Sequence, residues 1–282
     1  MLVFDKKVAL KAYLQGFINN KSTIGFVPTM GALHSGHLSL IQFSLLNNTV
    51  TVVSIFVNPT QFNNPEDLIK YPRTLPSDIE KIKTLSDNIV VYAPEIIDVY
   101  EGETNSNHFN YDGLELVMEG KHRKGHFDGV GTVVKKLFEI VNPTNAYFGE
   151  KDYQQLAIVK KMVTKLRIPV NVFGCPIVRE SNGLAMSSRN ERLSESERDN
   201  AANIFKILGK AKILFQTKSS KMVNQFVTKS FLNHKDIVLE YFEIADENSL
   251  LPCLRKNKSK NYRAFVAVFI NNIRLIDNIS LK

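Results

Sequence analysis

Apolar, β-branched runs alternate with segments of helical period through the first two thirds of the chain. Ile24–Val27 reads as a strand and Gly36–Leu46 as the helix that follows it. Thr49–Val57 is rich in Val with no polar alternation, which predicts a strand buried on both faces. The pattern continues with a helix over Pro76–Leu85 and a strand over Asn88–Ala93 closed by Pro94. Val130–Val141 predicts a helix ending at Asn142 and Pro143, followed by the short strand Ala146–Phe148, the helix Gln154–Leu166 and the strand Val170–Gly174. This rhythm predicts an α/β fold, a doubly wound parallel sheet with right-handed crossovers.

Beyond about residue 180 the rhythm changes. A long helix starts at the capping pattern Ser194 to Glu197 and runs to about Phe215. A second helix covers Met222–Leu232. Strands follow at Val238–Ile244, Arg263–Ile270 and Ile273–Ile276, the last two joined by Asn271 and Asn272 as a tight hairpin. This is an α+β unit with antiparallel strands. The boundary falls within 176–185, giving an N-terminal domain over 1–178 and a smaller C-terminal α+β domain over 179–282.

The length of 282 residues suits one large or two medium domains. The two cysteines, Cys175 and Cys253, lie far apart and outside any Cys-x-x-Cys pattern, which excludes a disulfide scaffold or a zinc ribbon and fits a reducing cytoplasm. Met1–Lys7 carries charge where a signal peptide needs an apolar core. The longest apolar runs, such as Ala264–Ile270, fall well short of the ~20 residues that span a bilayer. A cytoplasmic protein with no membrane partner is expected. The formal charge is +8, from 36 basic and 28 acidic side chains. Such a balance suits anionic partners. The basic stretch Arg255–Arg263 reads either as a nucleic-acid patch or as a solvated turn before a strand, and the turn is favoured.

Candidate chemistry gathers at predicted strand ends. His34 and His37 follow the first predicted strand, where the carboxyl edge of an open sheet meets the N-terminus of the next helix and anions are held. Metal ligation would need three or four ligands, and no carboxylate or cysteine accompanies the pair locally. As donors beside a phosphate, the imidazoles would stabilise charge developing at phosphorus. Asn58–Phe62 follows the second buried strand, and Gln61 offers both donor and acceptor to a small polar substrate, or serves only the turn. Gly149–Asp152 follows the Ala146–Phe148 strand, placing Lys151 to reach a phosphate and Asp152 a ribose; no Walker P-loop pattern occurs. In Gly183–Asn190 two hydroxyls precede an arginine, which reads as a phosphate grip or as a helix cap, although Ser194 already supplies a cap. Glu119, His122 and His126 suggest either a metal site or, with Gly120 and Gly125, a mobile loop whose Arg123 faces an anionic substrate.

Together these pieces resemble a known family. His34–His37 is similar to the HIGH element of the class I nucleotidyltransferases, and Met186–Arg189 to the KMSKS counterpart. More specific are Pro28–His37, Phe56–Phe62, Tyr71–Thr74, Phe148–Leu156, Gly183–Asn190 and Arg274–Asn278, which together resemble the pantoate–β-alanine ligase family from about residue 22 to the C-terminus. The resemblance implies a Rossmann-like first domain that binds ATP and pantoate; because an acyl adenylate hydrolyses readily, the C-terminal unit is expected to close over it as a lid and exclude water. It implies ATP-dependent condensation of pantoate with β-alanine through pantoyl adenylate, with release of AMP and pyrophosphate. It also implies a magnesium ion with the ATP, and a homodimer.

Carried over residue by residue, His34, His37 and Lys151 would stabilise the phosphoryl-transfer transition state. Met30, Gly31, Ala32, Leu33, His34, Ser35, Gly36 and His37 would hold ATP. So would Gly149, Glu150, Lys151 and Asp152, together with Val178, Met186, Ser187, Ser188 and Arg189. Gln61 and Gln155 would bind pantoate, with Gln61 also near β-alanine. The histidine pair reads as metal-free, and no protein ligand for magnesium is assigned, although Asp78 is a conceivable one. The chain departs from the family pattern at Ser35, Lys124 and the Asn271–Asn272 hairpin, which touches loop geometry and no chemical group. Rival readings are another nucleotidyltransferase with the same histidine device, an aminoacyl-tRNA synthetase, and a basic RNA-binding protein. Gln61 and Gln155 favour the ligase over the first, the chain has no evident anticodon-binding module for the second, and an RNP-type aromatic motif is lacking for the third.

Overall fold

Two elements precede the first strand expected from the sequence. The computed structural model describes residues 1–282 and begins with β1 (Leu2–Phe4) and α1 (Lys7–Asn19). Three residues of an edge strand, two of them exposed, leave little hydrophobic signal, and the neighbouring charges obscure the rest. The chain then runs through β2 (Ile24–Thr29), α2 (Ser35–Asn47), β3 (Val50–Ile55), α3 (Pro65–Lys70), α4 (Leu75–Lys83), β4 (Ile89–Tyr92) and α5 (Ile96–Tyr100). After these come α6 (Met118–His122), α7 (His126–Val141), β5 (Asn145–Gly149), α8 (Tyr153–Leu166) and β6 (Asn171–Cys175). Helix α7 starts four residues before the apolar stripe that predicted it, because Gly125 at φ 77° makes the turn into it.

The sheet order is β1-β4-β3-β2-β5-β6, and every pairing is parallel. From β2 the chain moves outward to β3 and β4, then returns to β5 on the other flank of β2. The strand order therefore reverses between β2 and β5, the switch point at which ligands enter such sheets. Neighbouring residues of β2 show that helices cover both faces. A methyl group on Gly25 would lie 2.1 Å from Ser44 Oγ and 2.5 Å from Asn48 Nδ2, the first in α2 and the second at its C-terminal end. Phe26 points the other way, with its ring edge-on to Phe138 of α7. Ser44 shares a 2.8 Å hydrogen bond with Thr51 of β3, and Asn48 Nδ2 donates to Tyr147 Oη of β5 at 2.9 Å. Helix α2 is thus pinned to β3 and β5 and pressed against β2, which fixes the position of its N-terminus.

The remaining elements are α9 (Glu195–Thr217), α10 (Ser220–Leu232), β7 (Val238–Asp246), β8 (Tyr262–Ile270) and β9 (Ile273–Ser280). They form an antiparallel sheet in the order β7-β8-β9, with α9 and α10 packed on it around a core that includes Ile204, Leu208, Val223, Val266 and Val268. Asn271 and Asn272 make the β8–β9 turn as expected, Asn271 taking φ 49°. Strand β9 runs four residues past Ile276 because Asp277 and Asn278, though polar, are buried and paired. Ser194 and Glu197 form the capping box that opens α9.

The chain divides into two compact units, one of residues 1–115, 120–150 and 155–176, the other of residues 116–119, 151–154 and 177–282. The second unit takes in two short segments from earlier in the chain for identifiable reasons. Glu119 pairs with Arg274 of β9 and accepts from Tyr241 Oη at 2.7 Å, and Tyr153 Oη donates to the Glu247 carbonyl at 3.2 Å. Residues 255–261 form an exposed turn, but Arg263 lies inside β8, only 8 % exposed, facing Glu247. No helix is long and apolar enough to cross a membrane.

Candidate functional site

In the first unit the decisive geometry lies in the turn from β2 into α2. Gly31 and Ala32 both take positive φ, 82° and 49°, turning the chain sharply after Met30. Asp78, fully buried in the first turn of α4, holds that turn. Its Oδ2 accepts from the Ala32 amide at 2.9 Å, its Oδ1 accepts from the Leu33 amide at 2.7 Å, and Thr74 Oγ1 donates to Oδ2 at 3.1 Å. Lys81 Nζ donates to the Leu33 carbonyl at 2.6 Å. Asp78, conceivable from sequence as a metal ligand, instead fastens the backbone that leads into the histidines. Charge-assisted bonds of this kind contribute roughly 1.5–3 kcal/mol each.

His34 is the N-cap of α2, and the two imidazoles cap the helix themselves. His34 Nδ1 accepts from the Gly36 amide at 3.1 Å, and His37 Nδ1 accepts more loosely from the His34 amide at 3.4 Å. The rings lie 4.1 Å apart. An acceptor nitrogen carries no proton, so this heavy-atom geometry assigns the neutral tautomer with the proton on Nε2 to both rings. The amide donors that a helix N-terminus offers an anion are here partly taken up by the histidines, and each histidine returns an Nε2–H donor.

Met30 and Gln61 are brought together: Gln61 Nε2 donates to Met30 Sδ at 2.9 Å. Gln61 is also held from behind. Its Oε1 accepts from Asn58 Nδ2 at 3.2 Å, and its carbonyl accepts from His126 Nδ1 at 2.8 Å and from Arg123 Nη2 at 3.2 Å. Asn58, 1 % exposed, in turn accepts from Tyr100 Oη at 2.6 Å. A methyl on Gly129 would come within 2.3 Å of the Thr60 carbonyl, so α7 can approach this turn only with glycine there. His126 and Arg123 thus serve the Gln61 backbone, and Glu119 is taken by Arg274; no group of three His, Cys, Asp or Glu side chains that could hold a metal is present. Gln155 stands half-buried in α8, next to the buried Gln154, whose side chain bonds the backbone at Val117 and Glu119. Gly149 closes β5, and Glu150 follows it beside Cys175, whose thiol burial pushes up to about 11.

In the second unit, Lys151 is mostly buried, with its ammonium 3.7 Å from the exposed Asp152 carboxylate. Val178 and Met186 lie opposite each other in a short hairpin, the Met186 amide donating to the Val178 carbonyl at 3.0 Å beside the bridge from Arg179 to Ala185. Ser187 then caps a 3-10 turn over Ser188–Arg192, its Oγ accepting from the Arg189 amide at 3.3 Å. The cap of the following helix is Ser194, as expected, and Ser187 caps only this short turn. The hairpin is fastened at two points. Arg198 grips Glu180 through two bonds of 2.7 and 2.8 Å, and Arg179 grips Asp277 through two of 2.7 and 2.9 Å. Burial pushes the Asp277 carboxyl up, opposed by Arg179, the Asn278 amide and the Lys151 charge.

Sequence reasoning passed over Asn58, Arg179, Asp277 and Asn278 as participants. Three of them lay within the quoted motifs, and the available signal was a polar pair inside the otherwise apolar stretch Leu275–Ile279.

The chain matches the sequence profile described as pantoate-beta-alanine ligase over residues 2–280. It is 66% identical over 282 residues, the full length of both chains, to a protein named pantothenate synthetase from Flavobacterium psychrophilum, and 50% identical, again over both full lengths, to one from Christiangramia forsetii. Among solved structures it resembles the pantothenate synthetase of Thermus thermophilus, with a TM-score of 0.92 at 36% identity, covering 100% of this chain and 99% of that one. It also resembles the pantoate-beta-alanine ligase of Francisella tularensis complexed with beta-gamma ATP and beta-alanine, with a TM-score of 0.83 at 35% identity, covering 100% and 98%.

Proposed function

The chain belongs to the pantoate-beta-alanine ligase family, and we propose that it condenses pantoate with β-alanine in an ATP-dependent reaction, giving pantothenate, AMP and pyrophosphate. The observation that carries the reading is the histidine pair at the carboxyl end of β2, beside the sheet's switch point, with both Nδ1 atoms occupied as acceptors. The ligands of the Francisella tularensis structure support ATP and β-alanine as substrates here.

A carboxylate is a poor acyl donor because oxide would have to leave. Pantoate oxygen therefore attacks the α-phosphorus, the bond to the bridging oxygen breaks, and pyrophosphate departs with its electron pair. The β-alanine nitrogen then attacks the acyl carbon, AMP leaves, and the amine proton is lost as the amide forms. His34, His37 and Lys151 place N–H donors on the phosphate oxygens as charge builds in the first step. Met30 to His37, Gly149 to Asp152, Val178 and Met186 to Arg189 bind ATP. Gln61 and Gln155 hold pantoate, and Gln61 also approaches β-alanine. Magnesium would come with the nucleotide and neutralise phosphate charge. Asp78 is engaged by backbone amides, and no protein ligand is assigned to the metal. The protein works in the cytoplasm as a homodimer.

Pyrophosphate–ATP exchange tests the route. Exchange that requires pantoate and proceeds without β-alanine is expected; AMP formation only when amine is added would replace the adenylate with a concerted path.

A further inference from the structure

Both segments of the second unit assigned to the nucleotide, Lys151 and Ser187–Arg189, trace back to one dipeptide of β9. Asn278, 1 % exposed, donates from Nδ2 to the Lys151 carbonyl at 2.9 Å, and its Oδ1 accepts from Arg263 Nη1 at 2.6 Å. Asp277, 4 % exposed, takes the two bonds from Arg179. Arg179 also donates to the Gly183 carbonyl at 3.1 Å, lies 3.8 Å over the Phe205 ring, and pairs across the hairpin with Ala185, two residues before Ser187. Successive residues of a strand project to opposite sides. Asp277 and Asn278 therefore reach the two segments from one stretch of rigid backbone.

We propose that Asp277 and Asn278 are positioning residues for adenylation, setting the Lys151 ammonium and the Ser187–Arg189 turn in a common register. The proposal rests on the nucleotide-binding roles assigned above to those two segments. Stability alone is a weak reason for the arrangement, because apolar residues of similar size often replace a buried ion pair without loss. What the polar pair supplies is direction: a planar guanidinium fork and a single amide donor each accept one geometry. The Lys151 charge also acts on the Asp277 carboxylate, so one group of β9 senses both segments.

The test is a double-mutant cycle in the full chain, read by pantoate-dependent pyrophosphate–ATP exchange. Asn278→Asp keeps an oxygen for Arg263 but sets an acceptor against the Lys151 carbonyl. It is expected to lower the exchange kcat about tenfold, the effect of one misdirected donor, while KM for pantoate stays within about twofold. In a Lys151→Ala background the same change should cost nothing further. A full repeat of the loss in that background, or wild-type exchange in Asn278→Asp, overturns the proposal. If Lys151→Ala alone leaves exchange intact, the Lys151 role falls instead, and its register to Asn278 with it. Should Asn278→Asp fail to fold by circular dichroism, Asn278→Ala completes the cycle, since it removes the donor without opposing two oxygens. Arg179→Lys reads the other arm: it keeps charge and loses the fork, and should raise KM for ATP about five- to tenfold. An unchanged KM for ATP removes Asp277 from the proposal.

Discussion

The histidine turn and the serine–arginine turn are built in opposite ways. In the first, His34 and His37 cap their own helix, and helix α4 adds the Asp78 carboxylate on two neighbouring amides and the Lys81 ammonium on the Leu33 carbonyl, 45 to 48 residues along the chain. The second leans on a distant strand, with Arg179 held by Asp277 across 98 residues and the Lys151 carbonyl by Asn278 across 127. A locally closed turn keeps its shape while its own helix stands. A turn hung on a remote strand keeps its shape only while the sheet beneath it is docked. His34 and His37 thus sit on a turn closed largely by nearby chain, and Lys151 and Arg189 on segments whose geometry depends on a distant strand.

Removing a group from the dependent part should have the largest effect. Lys151→Ala is expected to cost about 3 kcal/mol in the adenylation transition state, roughly a hundredfold in single-turnover adenylate formation, by analogy with other charge-stabilising donors. Near-normal adenylation would leave the histidines carrying the step and dissolve the contrast. At the histidine turn, Asp78→Asn leaves one acceptor and turns an amide against a backbone N–H. A stability loss of about 2 kcal/mol by thermal unfolding is expected, with a drop of about tenfold in exchange. A stability loss without any change in exchange would show that the turn holds its shape without this carboxylate.

A subtler outcome concerns protons. The imidazoles of His34 and His37 should carry Nε2–H in the neutral form, whereas His126, which faces the Gln61 carbonyl through Nδ1, should carry Nδ1–H. Nitrogen chemical shifts of selectively labelled histidine read this directly. An Nδ1–H tautomer at His34 would mean that the self-capping arrangement does not persist in solution.

The contrast also explains what the sequence made legible. The α/β rhythm, the parallel sheet and the antiparallel hairpin follow from hydrophobic period and turn residues, which are local quantities. The histidine turn was readable for the same reason, since strand, glycine, imidazoles and helix are consecutive. Asp78 was visible as an acidic residue, but its partners are backbone amides, which have no letter in a sequence. The link from Asn278 to Lys151 was beyond reach, because nothing local says which carbonyl a buried asparagine will meet. The edge strand β1 escaped because three residues, two of them exposed, carry almost no periodicity. The early start of α7 escaped because Gly129 and Gly131 interrupt the stripe, each for close packing that only the folded chain displays.

The smallest effect falls on the cysteines, one in each unit, which serve as gauges of local opening. Cys175 ends β6 and is 2 % exposed, and burial together with Glu150 pushes its thiol up to about 11. Cys253 is 6 % exposed; burial raises it too, but the Tyr262 hydroxyl and the charges of Lys256 and Lys260 pull back. Thiolate is the reactive species, so burial and the Glu150 charge hold back Cys175 at pH 8. In native protein treated with iodoacetamide at pH 8, mass spectrometry should find Cys253 labelled first. Cys175 should follow, more slowly than a free thiol. Cys253 leading is what its slightly greater exposure and the groups that oppose its upward shift predict. Cys175 leading would mean that the β6 edge of the parallel sheet opens more readily than the burial of its thiol suggests.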